Sequence, residues 1–102
     1  MATITWTDTA QNNLIEIREY VRLDSPLQAD LLIEGIFTKA QVLMQFPEIG
    51  KKLSELPQHS YRELLFKSYR IIYKIEAETV YILTVYHSAR LLKNSPLFKD
   101  EF

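Results

Sequence analysis

The sequence predicts an α+β domain: an N-terminal strand and an antiparallel helix hairpin packed on an antiparallel β-sheet, in the order β-α-α-β-β-β. Two observations carry this prediction. Apolar residues recur at four-three spacing in two stretches between residues 8 and 45, and three strand-like runs between Tyr61 and His87 are separated by gaps of only two residues. The 102 residues are 47% hydrophobic and 25% charged, which matches a single folded domain spanning 1–102 and excludes a disordered tail.

Ile4 and Trp6 alternate with Thr3 and Thr5, so a first strand is expected over about residues 2 to 6. Thr7 or Asp8 can then cap a helix, and Asp8 with Gln11 has capping-box spacing. Ala10, Leu14, Ile17 and Val21 form the apolar stripe of that helix, which should end near Leu23. Ser25-Pro26 supplies a cap followed by the residue best tolerated at the first helical position. The second helix carries the stripe Ala29, Ile33, Ile36, Ala40 and Leu43, widened by Leu32, Phe37 and Met44. An arc that wide must contact something on more than one side. The short connection Leu23-Asp24-Ser25 forces the helices antiparallel, and Gly35, which costs about 1 kcal/mol in a helix, is expected to let their backbones approach.

Phe46-Pro47 ends the pair, and residues 47 to 60, with Pro47, Gly50 and Pro57, read as a loop anchored by Leu53 and Leu56. Tyr61 to Phe66, Tyr69 to Glu76 and Thr79 to His87 follow as a meander with turns at Lys67-Ser68 and Ala77-Glu78. In the middle run Tyr69, Ile71, Tyr73 and Ile75 form one apolar face, to be covered by the helices, while Arg70, Lys74 and Glu76 make the other largely charged. The last run is apolar on both faces, as a central strand would be. Residues 88 to 102 allow at most one short helix.

Charge and composition remove several classes of function. With 12 Lys+Arg against 13 Asp+Glu the net charge is -1, so only a local patch could hold a polyanion. The halves differ: residues 1–50 sum to −4 and residues 51–102 to +3, with six basic residues between 51 and 75. The absence of Cys excludes disulfides, thiolate nucleophiles and Cys-based zinc sites, and two His leave little for any metal, so no metal and no cofactor are expected. No apolar run approaches the roughly 18 residues of a membrane span, and Met1 to Trp6 lack the layout of a secretory signal, so a cytoplasmic location and no membrane partner are expected.

The residue pattern resembles the RelE/ParE superfamily of toxins from type II toxin-antitoxin pairs, on its ParE-like side. The resemblance covers most of the chain and rests on several pieces in order. These are Trp6-Thr7 before a helix with Ala10, Leu14, Ile17 and Tyr20; Phe46-Pro47-Glu48-Ile49-Gly50; Tyr61-Arg62-Glu63-Leu64; Tyr69-Arg70-Ile71-Ile72-Tyr73; and Val85-Tyr86-His87-Ser88-Ala89-Arg90. It implies a compact toxin neutralised by a cognate antitoxin and acting on DNA gyrase or on ribosome-bound messenger RNA, with DNA itself met only through the antitoxin complex.

The nuclease alternative has definite chemical needs: a base for the 2′-hydroxyl, an acid for the leaving oxygen, and cations for the phosphorane charge. His87, Arg62 and Arg70 are the candidates, with Arg90 a further cation and Glu48 a possible acid. Each also has an ordinary reading: His87 as a strand-end hydrogen-bonding group, the arginines as solvated residues or partners of Glu63 and Glu76, Glu48 as a solvated turn residue. The resemblance implies that such nucleases carry dense Lys and Arg on the sheet and a catalytic His or Tyr very near the chain end, whereas fifteen residues follow His87 here. The expected activity is therefore gyrase inhibition by binding, with Lys67, Arg90 and Tyr86 as target-binding residues. A third class is a non-toxic, antitoxin-binding member of the family. Leu91, Leu92, Leu97 and Phe98, with Phe102, crowd a tail too short to build its own core and are expected to bind the antitoxin.

Overall fold

A computed structural model of the chain describes residues 1–89, in the order β1 (Thr3–Trp6), α1 (Asp8–Arg22), α2 (Pro26–Gln41), a 3₁₀ turn (Val42–Met44), β2 (Lys51–Lys52), β3 (Arg62–Phe66), β4 (Tyr69–Glu76) and β5 (Thr79–His87). The expectations for residues 90 to 102, including Arg90, Leu91, Leu92, Leu97, Phe98 and Phe102, lie outside the described residues.

Thr7 is the N-cap of α1, its hydroxyl accepting from the Ala10 amide at 3.2 Å. The Asp8–Gln11 capping box does not form, because the Gln11 side chain donates to the Trp6 carbonyl instead, at 2.8 Å. Ser25 caps α2 through the Gln28 amide, with Pro26 opening the helix as expected. Arg18 reaches Asp30 across the helix pair at 3.2 Å, an exposed contact of little energetic weight.

The five strands form one sheet in the order β1-β5-β4-β3-β2. The meander β3-β4-β5 is antiparallel with the turns where the sequence placed them, and β5 is indeed interior. Two features correct the sequence reading. The sheet is mixed, because β1 runs parallel to β5, pairing Thr3 with Thr79 and Trp6 with Ile82. The loop after Pro47 also contributes a strand, β2, pairing Lys51 with Glu63 and Lys52 with Arg62.

The helix hairpin covers the predicted face. Ile71, Tyr73, Val80, Ile82 and Val85 pack with Leu14, Ile36, Ala40 and Leu43 in the main core, and Tyr69 and Ile75 lie at its margin. Trp6 joins β1 to α2 through the Phe37 ring, centroids 4.7 Å apart. Gly35 has a different role from the one expected. A Cβ there would overlap the Phe66 ring of β3, so the glycine admits a sheet side chain, not the neighbouring helix.

The opposite sheet face is not the open charged surface expected from the alternation. Leu53 and Leu56, the predicted loop anchors, fold across it and bury Ile72 and Tyr86 in a second, smaller core. Where β1 ends, β5 continues, and Asn13 of α1 takes over as its neighbour. Asn13 Oδ1 accepts from the Val85 amide at 3.0 Å and from the buried Thr84 hydroxyl at 2.7 Å.

Candidate functional site

The strands distribute the candidate side chains over two faces and both ends of the sheet. The pleat decides the face, since residues two apart share one side. Arg70 and Tyr86 sit opposite each other on β4 and β5 and point to the face under the 53–56 loop. Tyr69 and His87, one register step away, lie on the helix side.

Arg70 is held between two carboxylates. It donates to both oxygens of Glu55, at 2.9 and 3.3 Å, and to Glu63 Oε2, with its guanidinium carbon 5.5 Å from the centroid of the Tyr86 ring. Burial pulls the guanidinium pKa down, and the bonds to Glu55 and Glu63 more than reverse this, so it is held above its ordinary value. Its hydrogen bond in turn holds the Glu55 carboxyl below the usual range. Burial pushes the Tyr86 hydroxyl up to about 12, against a smaller opposing effect of Arg70. Among the described residues, Arg70 Nε and the Tyr86 hydroxyl have no hydrogen-bond partner.

Arg62 is committed elsewhere. Its Nη1 donates to the carbonyls of Glu48 and Gly50, at 3.1 and 2.8 Å, pinning the loop between Pro47 and Gly50. Tyr73 holds the same loop from inside the core, accepting from the Gly50 amide at 2.9 Å and donating to the Pro47 carbonyl at 2.7 Å. Glu48 is exposed on this loop.

His87 closes β5 with an exposed ring. Its Nδ1 accepts from the Ala89 amide at 3.1 Å, and its ring stands nearly perpendicular to that of Tyr69, centroids 5.4 Å apart. It lines an open cleft of about 540 Å³ between α1 and the ends of β4 and β5, with Asn13, Glu16, Ile17, Tyr20 and Tyr69. Burial, and then the neighbouring Tyr20, raise the Tyr69 hydroxyl above its ordinary pKa. Lys67 stands exposed in the β3–β4 turn at φ 52°, its ammonium 5.7 Å from the Phe66 ring centroid.

These positions bear directly on the candidate constellation. Register places Arg62 beside Tyr73 and His87 beside Tyr69, two strands apart across the sheet and four residues along it, or about 16 Å between Cα atoms. Arg70 lies on the other face. The structure therefore does not bring His87, Arg62 and Arg70 to one reacting centre. Tyr86, expected on the target-binding surface, is buried at 4% exposure, because the 53–56 loop covers its face; Lys67 is exposed as expected. Among the described residues no group of three or more His, Asp or Glu side chains converges as a metal site would require.

Sequence reasoning missed Glu55 as a partner of Arg70 and the Tyr73 latch. Glu63 was legible: a two-residue turn at Lys67-Ser68 puts Leu65 opposite Arg70 and Glu63 on its diagonal. No local signal marks Glu55, which arrives through a loop.

Comparison with known proteins agrees with this fold. The family model described as the ParE toxin of type II toxin-antitoxin system, parDE, matches residues 4–92. A curated relative named Toxin RelE2, from Caulobacter vibrioides, is 35% identical over 92 residues, covering 89% of this chain and all of that protein. A structure described as the chromosomal ParDE TA system from P. aeruginosa superposes with TM-score 0.73 at 24% identity, over 85% of this chain and 96% of its own. The toxin-antitoxin complex RelBE2 from Mycobacterium tuberculosis gives TM-score 0.59 at 28% identity, over 84% and 96%. The strand, helix hairpin and mixed sheet, together with a family match along nearly the whole chain, place it: the chain belongs to the ParE toxin family of type II toxin-antitoxin systems, within the RelE/ParE superfamily.

Proposed function

We propose that the chain, acting as a single domain over 1–102, is the toxin of a type II toxin-antitoxin pair that inhibits DNA gyrase by binding it and is neutralised by a cognate antitoxin. One observation carries the choice of binding over RNA cleavage. The cations a nuclease would aim at a phosphorane are engaged within the protein, Arg62 by two loop carbonyls and Arg70 by Glu55 and Glu63, with His87 set apart from both. Transition-state stabilisation needs donors directed at the developing charge, and here these donors are directed at the protein itself. Exposed Lys67 belongs to the target-binding surface in this reading, together with Arg90.

The RelE-type reading, a ribosome-dependent messenger RNA endonuclease, is the alternative, favoured by the name of the Caulobacter relative. Induced expression in a bacterial host, followed by purified assays, separates the two. Growth arrest with a DNA-damage response, inhibition of gyrase supercoiling, and toxicity that survives His87→Ala support gyrase binding. Ribosome-dependent messenger cleavage by the purified protein, abolished in a folded His87→Ala variant, overturns it. Unimpaired growth with retained antitoxin binding identifies the non-toxic class.

A further inference from the structure

The cleft beside His87 has a chemical character that neither gyrase binding nor RNA cleavage calls on. Its α1 wall comes from Asn13, Glu16, Ile17 and Tyr20, positions spaced three and four apart and therefore on one face of the helix. Its sheet wall comes from Tyr69 and His87, register partners at the ends of β4 and β5. Their rings stand at 81° to each other and make two sides of an aromatic corner, and Tyr20 brings another ring, 74% exposed, from the helix. The two phenols are close enough that Tyr20 helps raise the pKa of Tyr69.

Charge in the cleft has one sign. Among the described residues that line it, Glu16 is the one carboxylate and no Lys or Arg is present; Glu16 is exposed and joins none of the ion pairs there. The arginines of α1 are turned to other partners, Arg18 to Asp30 and Arg22 to Glu19. His87 Nδ1 accepts from the Ala89 amide, a bond that only an unprotonated nitrogen makes, so in this arrangement the ring adds no positive charge.

Aromatic faces carry negative charge density, and beside an unpaired carboxylate they attract a cation and repel a phosphate. A planar guanidinium suits such a corner better than an ammonium, because it stacks on a ring and still offers N–H groups to Glu16 and to the phenol oxygens. The cleft is open to solvent and covers too little of a free small molecule to hold it, whereas an arginine anchored within a larger contact gains from every wall. We propose that this cleft receives an arginine side chain presented by a partner protein, with Tyr20, Tyr69 and His87 as aromatic walls and Glu16 as the counter-ion. The assignment does not depend on which target the toxin meets, and it gives His87 a part in recognition, not in proton transfer.

The test titrates the full chain with the peptide acetyl-Gly-Arg-Gly-amide and follows the ring protons of Tyr20, Tyr69 and His87 by NMR. The same peptide with citrulline, an uncharged isostere of arginine, is the control. Saturable shifts at these rings are expected at roughly millimolar peptide, as for a single anchoring residue, and none with citrulline. Glu16→Gln and Tyr20→Leu, both at exposed positions of α1 that leave the core intact, should each weaken binding by about two- to fivefold. Equal shifts with citrulline, or affinities unchanged in both variants, overturn the proposal. Absence of binding to the parent overturns it too, and ring shifts in Arg90→Gln without peptide would then identify this chain's own Arg90 as the occupant. Tighter binding of free methylguanidinium than of the peptide would make the cleft a small-molecule site and overturn the assignment to a partner protein.

Discussion

Replacing Tyr73 with Phe removes one oxygen and unmakes two buried interactions at once. The hydroxyl donates to the Pro47 carbonyl at 2.7 Å and accepts from the Gly50 amide at 2.9 Å, and Tyr73 is fully buried. Gly50 is buried as well, so its N–H is left in a site from which the fold excludes solvent. An orphaned buried donor costs about 1–3 kcal/mol, and the Pro47 carbonyl, part-buried, adds a smaller loss, giving about 2–3 kcal/mol in all. For a chain of this size that corresponds to a fall in Tm of about 10–20 °C, measurable by urea and thermal unfolding. Arg62 clamps the same loop through the Glu48 and Gly50 carbonyls, so Arg62→Met should destabilise too, and the double variant should show coupling of roughly 0.5–3 kcal/mol. A loss below about 0.5 kcal/mol in Tyr73→Phe, or strict additivity with Arg62→Met, would refute the latch and return Arg62 to the pool of free cations.

Ile71→Ala should cost about 2–5 kcal/mol, since the side chain is fully buried against the helix hairpin, and unfolding in urea reads it directly. The Tyr86 hydroxyl, at about 12 folded against 10 unfolded, keeps its proton longer in the native state. Tyr86 should therefore contribute stability that is intact below pH 10 and falls as pH rises from 10 towards 12, by about 1.4 kcal/mol per unit; Tyr86→Phe should remove this share of the alkaline slope with little loss at neutral pH, while Tyr69 and Tyr73, also raised by burial, keep theirs. Lys67→Gly relieves a left-handed backbone at φ 52° and should raise stability by about 0.5–1 kcal/mol, while weakening growth arrest if Lys67 meets the target. A stabilised variant of unchanged toxicity would remove Lys67 from the binding surface.

Much of this protein is legible in one dimension. The caps at Thr7 and Ser25, the four-three stripes of both helices and the two-residue turns at Lys67-Ser68 and Ala77-Glu78 all appear where the sequence puts them. These are short-range effects: a cap needs an amide three residues away, a stripe needs the helical period, and a two-residue turn sets the register of the strands it joins. The order of elements and the family resemblance were readable for the same reason. The candidate site was less so. Glu63 as a partner of Arg70 follows from hairpin register, but Glu55 comes from a loop whose path over the sheet no local pattern encodes.

Only the tertiary structure decided that β1 lies parallel beside β5, that Gly35 receives Phe66, and that the face carrying Arg70 and Tyr86 is closed by Leu53 and Leu56. It also decided that Arg62 and Arg70 are spent on loop carbonyls and carboxylates within the fold. The sequence by itself determined which residues are apolar, charged or turn-forming and at what period. Whether a charged side chain meets solvent, a carbonyl or a carboxylate depends on contacts between segments far apart in the chain, and a loop closing over a sheet leaves no periodicity to read.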